Sequence, residues 1–288
     1  MTLKPGVIET LTVARENEFG YFLSQQGEDI LLHKREAKGE LKEDEKVTVF
    51  LYLDHEGRLT ATMEMPIISL GEMGWLKVVS QIRNQGLFLY NGTSRDVFFS
   101  MDDLPPERER WPAEGDELFV TLSTDKKGRL MAKHVYGKPI EDQSVKAGPE
   151  MYNKDVEGIV YKMGEDVEGV NILTDEKHLA FLHNDDMNST VRLGQKIAVR
   201  VTNVREDGRL NVSQKPRKQE ALSDDAEKII QYMEGRNGAM PYWDKSQAED
   251  IYSRFQLSKA AFKRALGKLM KEGKVYQEEG WTYFKERK

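Results

Sequence analysis

One pattern occurs three times in this chain: a strand rich in valine and leucine, a short charged turn, and then Gly-Arg-Leu. Residues 45–51 lead to Gly57-Arg58-Leu59, residues 116–122 to Gly128-Arg129-Leu130, and residues 195–201 to Gly208-Arg209-Leu210. The three glycines stand 71 and 80 residues apart, so each copy belongs to a unit of domain size. A chain of 288 residues also exceeds what one hydrophobic core usually covers. The repeat therefore predicts three small domains and a separate C-terminal remainder.

The first unit, residues 1–63, reads as short strands at hairpin spacing. Residues 6–13 are apolar at Val7, Leu11 and Val13, and Phe19-Gly20-Tyr21-Phe22-Leu23 and Ile30-Leu31-Leu32-His33 follow. The turn at residues 25–28 separates the last two. A charged connection, the Val47 strand, the turn Asp54-His55-Glu56-Gly57 and a strand from Leu59 complete five. Five strands in so short a unit are too few for a sandwich and fit a small closed barrel of the OB type, which leaves no bare edge. Residues 64–136 repeat the order, with a proline-bearing connection from Met101 that reads as turns rather than a long helix. Residues 137–152 read as a polar linker with no core of their own, residues 153–214 as the third barrel, and residues 215–222 as a second linker.

The period then changes from two to helical over residues 223–288. Ser223 is the expected N-cap of a helix stopped by Gly235, and Ser246-Gln247-Ala248-Glu249 the capping box of a second helix burying Ile251, Tyr252 and Phe255. Ser258 caps a third, with Phe262, Ala265, Leu266, Leu269 and Met270 on its apolar face. A hairpin over residues 275–284 follows. The expected architecture is thus multidomain: three β-barrels and a C-terminal α+β winged helix.

Charge and composition restrict the function. The net charge is −6, which argues against binding nucleic acid by bulk phosphate attraction and leaves local sites to do so. Only residues 223–288 are basic, at +2, against −4 for residues 1–63. There is no cysteine, and the five histidines show no metal-ligand spacing, so no metal or other cofactor is expected. Neither a secretory leader nor a spanning segment is read, and a cytoplasmic location is expected. Nucleotide-binding Gly-x-x-x-x-Gly-Lys, nucleophile-elbow and His-Glu-x-x-His motifs do not occur, which points away from an enzyme.

On an OB barrel the outer face of strands two and three is a platform on which unpaired bases stack, at about 1–3 kcal/mol each. The first unit has residues of the right kind: Phe19 and Phe22 flank Gly20, His33 ends the next strand, and Asp54 and Arg58 frame the hairpin glycine. Gly20 would let a base approach the backbone. Phe-Gly-x-Phe, a strand ending in His and Asp-x-x-Gly-Arg resemble the S1-like RNA-binding domain. That resemblance implies an RNA face made of Phe19, Phe22, His33, Asp54 and Arg58. In the second unit Phe88, Asp125 and Arg129 match, while Gln85 and Ser100 stand at the first aromatic and histidine positions. In the third, His183 and Arg209 match, while Glu168, Asn171 and Arg205 depart from the pattern. Three such domains and a winged helix resemble the bacterial conserved virulence factor B family, which implies a cytoplasmic RNA-binding regulator.

The third C-terminal helix offers a second basic surface, with Lys259, Lys263, Arg264, Lys271 and Lys274 as candidate nucleic-acid contacts. The expected function is non-catalytic binding of single-stranded RNA through the barrels, regulating gene expression after transcription. The alternative is a DNA-binding transcription regulator acting through the winged helix, which is also where a duplex or protein partner would bind.

Overall fold

The computed structural model describes residues 3–25, 27–164 and 168–285, leaving aside the side chains of residues 218–221. Gln26, in the turn expected at residues 25–28, lies outside the described residues. The chain divides into two compact units, Met1–Gln214 and Lys215–Lys288.

The first unit holds three closed barrels. Barrel one comprises β1 (Ile8–Glu16), β2 (Gly20–Gln25), β3 (Glu28–His33), β4 (Lys46–Leu53) and β5 (Leu59–Thr62). Barrel two comprises β6 (Met73–Ile82), β7 (Gly86–Tyr90), β8 (Val97–Ser100), β9 (Glu117–Thr124) and β10 (Leu130–His134). Barrel three comprises β11 (Asp155–Met163), β12 (Gly169–Thr174), β13 (Leu179–His183), β14 (Lys196–Val204) and β15 (Leu210–Ser213). In each, the strands are neighbours in the order one-two-three-five-four, closing back on strand one. Strand three pairs with strand five in parallel, and the other pairings are antiparallel. The Gly-Arg-Leu repeat is the hairpin between strands four and five.

Alternation along the strands explains closure. In barrel one Leu11, Val13, Leu23, Leu32, Val49 and Leu51 point inward and form the core, while the intervening residues face out. The first strand of each barrel shifts register once, at Val13/Arg15, Val78/Ser80 and Val160/Lys162. Such bulges bend and twist a strand that must pair at both its edges.

The barrels are packed together rather than strung on linkers. Between barrels one and two, the Leu70 N–H donates to the Gly6 carbonyl at 2.6 Å, and Ile68 enters the core of barrel two. Between barrels two and three, the Arg192 guanidinium grips the Asp116 carboxylate at 3.0 and 3.2 Å, and Leu193 of barrel three joins the core of barrel two. Residues 137–152 depart from the expectation of a coreless linker. A short helix, α1 (Lys138–Glu141), buries Ile140 with Phe119, Tyr161, Leu173 and Leu179. Ala147 and Met151 enter the core of barrel three. Three apolar side chains among many polar ones suffice because each meets an apolar surface supplied by a barrel.

The second unit contains α2 (Lys218–Glu234), β16 (Ala239–Met240), α3 (Ala248–Phe255), α4 (Lys259–Lys271), β17 (Val275–Glu278) and β18 (Trp281–Phe284). Its sheet has the order β16-β18-β17, and Ile229, Met233, Ile251, Phe255, Phe262 and Leu266 make its core. This is a winged helix with one strand, β16, that the sequence did not announce. Ser258 caps α4 as expected, accepting the Ala261 N–H. Ser223 is not an N-cap, because α2 begins five residues earlier and encloses it. The capping box of α3 does not form either: Ser246 Oγ instead accepts the Trp243 N–H, and Gln247 stands at the N-cap without a side-chain bond. Tyr252 and Met270 are 61% and 44% exposed, not buried. Each lies at the border of its helix's apolar stripe, where a 100° step turns a side chain out of the core.

Candidate nucleic-acid interface

The outer face of strands two, three and five has three levels in each barrel, set by strand register. In barrel one the levels are Gly20 beside His33, Phe22 beside Leu31 and Thr60, and Ser24 beside Asp29. Phe22 thus occupies the middle of the platform and is half-buried, while Phe19, just before β2, is 57% exposed. Both predicted rings lie outside the barrel core. His33 stands at one end of the platform, and Arg58, two residues before Thr60, at the other.

His33 Nδ1 accepts the Arg35 N–H at 3.3 Å and caps the turn after β3, which leaves Nε2–H as the ring's donor. His183 caps the equivalent turn of barrel three through Asp185 N–H at 3.1 Å. Ser100 does the same in barrel two through Asp102 N–H. Histidine and serine are therefore interchangeable for the fold, and only histidine adds a ring.

Asp54 has a structural role. Its Oδ1 accepts the N–H groups of Glu56 and Arg58, both at 2.9 Å, and its Oδ2 accepts Arg58 Nε at 2.9 Å. Burial raises its pKa, but the backbone and Arg58 hydrogen bonds outweigh this and hold the carboxyl below the usual carboxylate range. Asp125 holds Arg129 in the same way at 2.8 Å, with the same balance of causes. Neither carboxylate is free for a ligand; each aims an arginine. In barrel three Arg205 replaces the aspartate, and Arg209 pairs instead with Glu141 of α1 at 3.2 Å.

Gly20 differs from expectation. A Cβ there would fall 2.1 Å from the Leu32 carbonyl oxygen and 2.9 Å from His33 Cα. The close approach that demands glycine is that of the neighbouring strand, not of a ligand. Gly86 and Gly169 occupy the same place, meeting the Phe99 oxygen at 2.0 Å and the Leu182 oxygen at 2.6 Å.

The structure adds residues that the motif search missed. Arg15 lies over the Phe22 ring at 4.3 Å and pairs with Asp29 at 2.6 Å, backing one side of the platform. On barrel two, Phe88 meets Phe98 of β8 edge-on at 5.7 Å. On barrel three Asn171 stands opposite Phe181. The middle level thus carries an aromatic ring on strand two in barrel one, on both strands in barrel two, and on strand three in barrel three. Burial in β8 alternates along Val97-Phe98-Phe99-Ser100, but the apolar runs of β8 and β13 carry no alternation in residue type that would have marked Phe98 or Phe181 as outward. Gln85 and Glu168 lie in the loops preceding β7 and β12.

On the winged helix, Lys263, Arg264 and Lys271 project from the exposed side of α4 and have no ion-pair partner among the described residues. Lys259 is half-buried. Lys274 does not belong to the stripe: α4 ends at Lys271, and Lys274 pairs with Glu272 at 2.9 Å. The hairpin carries an unforeseen aromatic face, with Tyr276 stacked on Tyr283 at 5.4 Å and Tyr283 on Trp281 at 6.3 Å.

Comparison with known proteins gives matches along the whole chain. Residues 5–64 match the profile of the S1 domain, 73–133 that of the CvfB first S1-like domain, 140–216 that of the second domain of the virulence regulatory factor CvfB, and 227–284 that of the CvfB-like winged helix domain. The uncharacterized protein YitL of Bacillus subtilis is 44% identical, over 99% of this chain and 95% of its own length. Conserved virulence factor B of Staphylococcus aureus N315 is 32% identical, over 96% and 92%. A crystal structure of a multidomain protein with nucleic acid binding domains from Streptococcus pneumoniae superposes with a TM-score of 0.65 at 33% identity, covering 96% of this chain and 97% of that one.

Proposed function

The chain belongs to the conserved virulence factor B family, and on that premise we propose that it is a non-catalytic protein that binds single-stranded RNA and regulates gene expression after transcription. The observation that carries this reading is the recurrence, on barrels one and two, of an outward aromatic ring on strand two and a hairpin arginine aimed by its own aspartate. A ring takes any base by stacking, and an arginine beside it takes the backbone, so the pair suits an unpaired strand rather than a duplex. The S1 profile over residues 5–64 and the nucleic acid binding domains named for the pneumococcal relative support it. Among the described residues no helix is long and apolar enough to cross a membrane.

An acidic chain that binds by stacking has a shallow salt dependence. Titration of a labelled single-stranded RNA at two salt concentrations, with Phe22→Ala beside the wild type, tests this. A steep slope together with full affinity in the variant would reject it.

The unpaired cations of α4 favour a second reading, duplex DNA binding by the winged helix in a transcription regulator. It requires that Lys263→Glu with Lys271→Glu abolish duplex binding while leaving single-stranded RNA binding intact.

A further inference from the structure

The three hairpin arginines are not equivalent. Arg58 is held by Asp54 on one edge and by Glu56 on another, at 2.8 and 2.7 Å. Arg209 is held by Glu141 and Asp207. Arg129 has a single carboxylate partner among the described residues, Asp125, at 2.7 Å, and Lys126 and Lys127 stand where barrel one has His55 and Glu56. A guanidinium clamped by two carboxylates has little charge left to offer a phosphate, whereas Arg129 keeps an edge and its field.

Arg129 also lines a cleft of about 460 Å³ between barrels one and two. Its floor is the outer face of barrel two, with the paired rings of Phe88 and Phe98 beside Met131. The opposing wall is β4 of barrel one: Phe50 and Tyr52, almost wholly buried and so fixed in place, with Leu53. Arg95 of barrel two also lines the cleft and lies over the Tyr52 ring of barrel one at 5.4 Å. Gln85 and three carboxylates also line it: Asp54 and Asp125, each bonded to its own hairpin arginine, and Asp96, whose pKa burial raises. A slot with a ring pair on one side, the packed flank of barrel one on the other and two arginines in its lining fits a flat, apolar-faced group that carries an anion.

We propose that this composite cleft is a nucleotide site that encloses one base of a bound strand between barrels one and two, with its phosphate at Arg129 and Arg95. The inference rests on the RNA-binding reading and reorders it: the second barrel holds the strand most tightly, and barrel one contributes a wall as well as its own open platform.

The test uses the full chain and an RNA oligomer containing 2-aminopurine. In the cleft the fluorescent base is shielded from acrylamide, whereas on an open platform it stays accessible. Wild type is expected to protect the probe; Phe88→Ala is expected to lose about tenfold in affinity, the value of one stacked base, and to abolish protection. Arg129→Gln, at an exposed position, is expected to weaken binding and flatten the salt slope even if Phe88→Ala fails to fold. A free purine nucleotide that competes at equal concentration identifies the occupant as a free nucleotide, and competition by the oligomer alone identifies a strand. Wild-type binding that is lost in Phe22→Ala but kept, unprotected, in Phe88→Ala and Arg129→Gln overturns the cleft and leaves RNA binding standing. Absence of RNA binding by the wild type removes the parent reading itself.

Discussion

Gly20→Ala separates two meanings of one glycine. The added methyl would sit 2.1 Å from the Leu32 carbonyl oxygen and 2.9 Å from His33 Cα, against a backbone that cannot swing aside as a side chain can. Restoring ordinary contact requires β2 and β3 to part by about 1 Å where Gly20 pairs with His33 and Tyr21 with Leu32. Overpacking of this kind costs about 1–3 kcal/mol, and the two ladder hydrogen bonds weakened with it about 1 kcal/mol each. At the 2–4 °C per kcal/mol typical of a unit of this size, the transition of the first unit falls by about 10 °C. Differential scanning calorimetry of the full chain reads this, and Gly86→Ala and Gly169→Ala act in the same direction on the other barrels. RNA affinity is measured well below the transition. If Gly20→Ala melts with the wild type yet loses RNA, the reasoning fails and the glycine serves a ligand after all.

Three further outcomes are expected. His134 donates from Nε2 to the Tyr161 carbonyl at 2.9 Å across barrels two and three, and burial lowers its pKa below 6.5. The ring is therefore held neutral, its contribution is complete above the unfolded pKa, and stability falls as pH drops toward the folded value; His134→Gln, which keeps the donor, flattens the fall of urea midpoints below the ordinary histidine pKa of about 6.5. Arg192→Met leaves the nearly buried Asp116 carboxylate unpaired and costs about 2 kcal/mol, less than a fully buried pair would because Arg192 is partly exposed; urea denaturation measures it. Gly267→Ala on α4 meets nothing within 4 Å and stabilises the second unit by about 1 kcal/mol, seen as a higher melting temperature.

The barrels were legible because their hairpins repeat a local code. A glycine at positive φ and a leucine that packs on the core leave the same trace three times, and an aspartate that hydrogen-bonds its own turn leaves it twice, at Asp54 and Asp125. Ser258 was legible for the same reason, since a cap acts within three residues. What escaped depends on distant parts of the chain. Ile140 is read as linker until Phe119 and Tyr161 are seen to cover it. Phe98 is masked because Phe99, its inward neighbour, is equally aromatic, so the strand looks uniformly apolar. The site shows the same division. Phe22, His33 and Arg58 were named by motif, but which arginine keeps a free edge was decided by Glu56 and Glu141, residues outside any motif.

Leu193 sits in the interior of its neighbour, and this bears on how the protein can be dissected. A chain cut after β10 would lose a side chain that closes barrel two from outside, along with the Arg192 clamp on Asp116. The severed piece would present raw apolar surface and fold poorly by itself. Deletion mapping would then score barrel three as indispensable for ligand capture whether or not it touches the ligand. Point substitutions on outer faces are the cuts that this molecule tolerates.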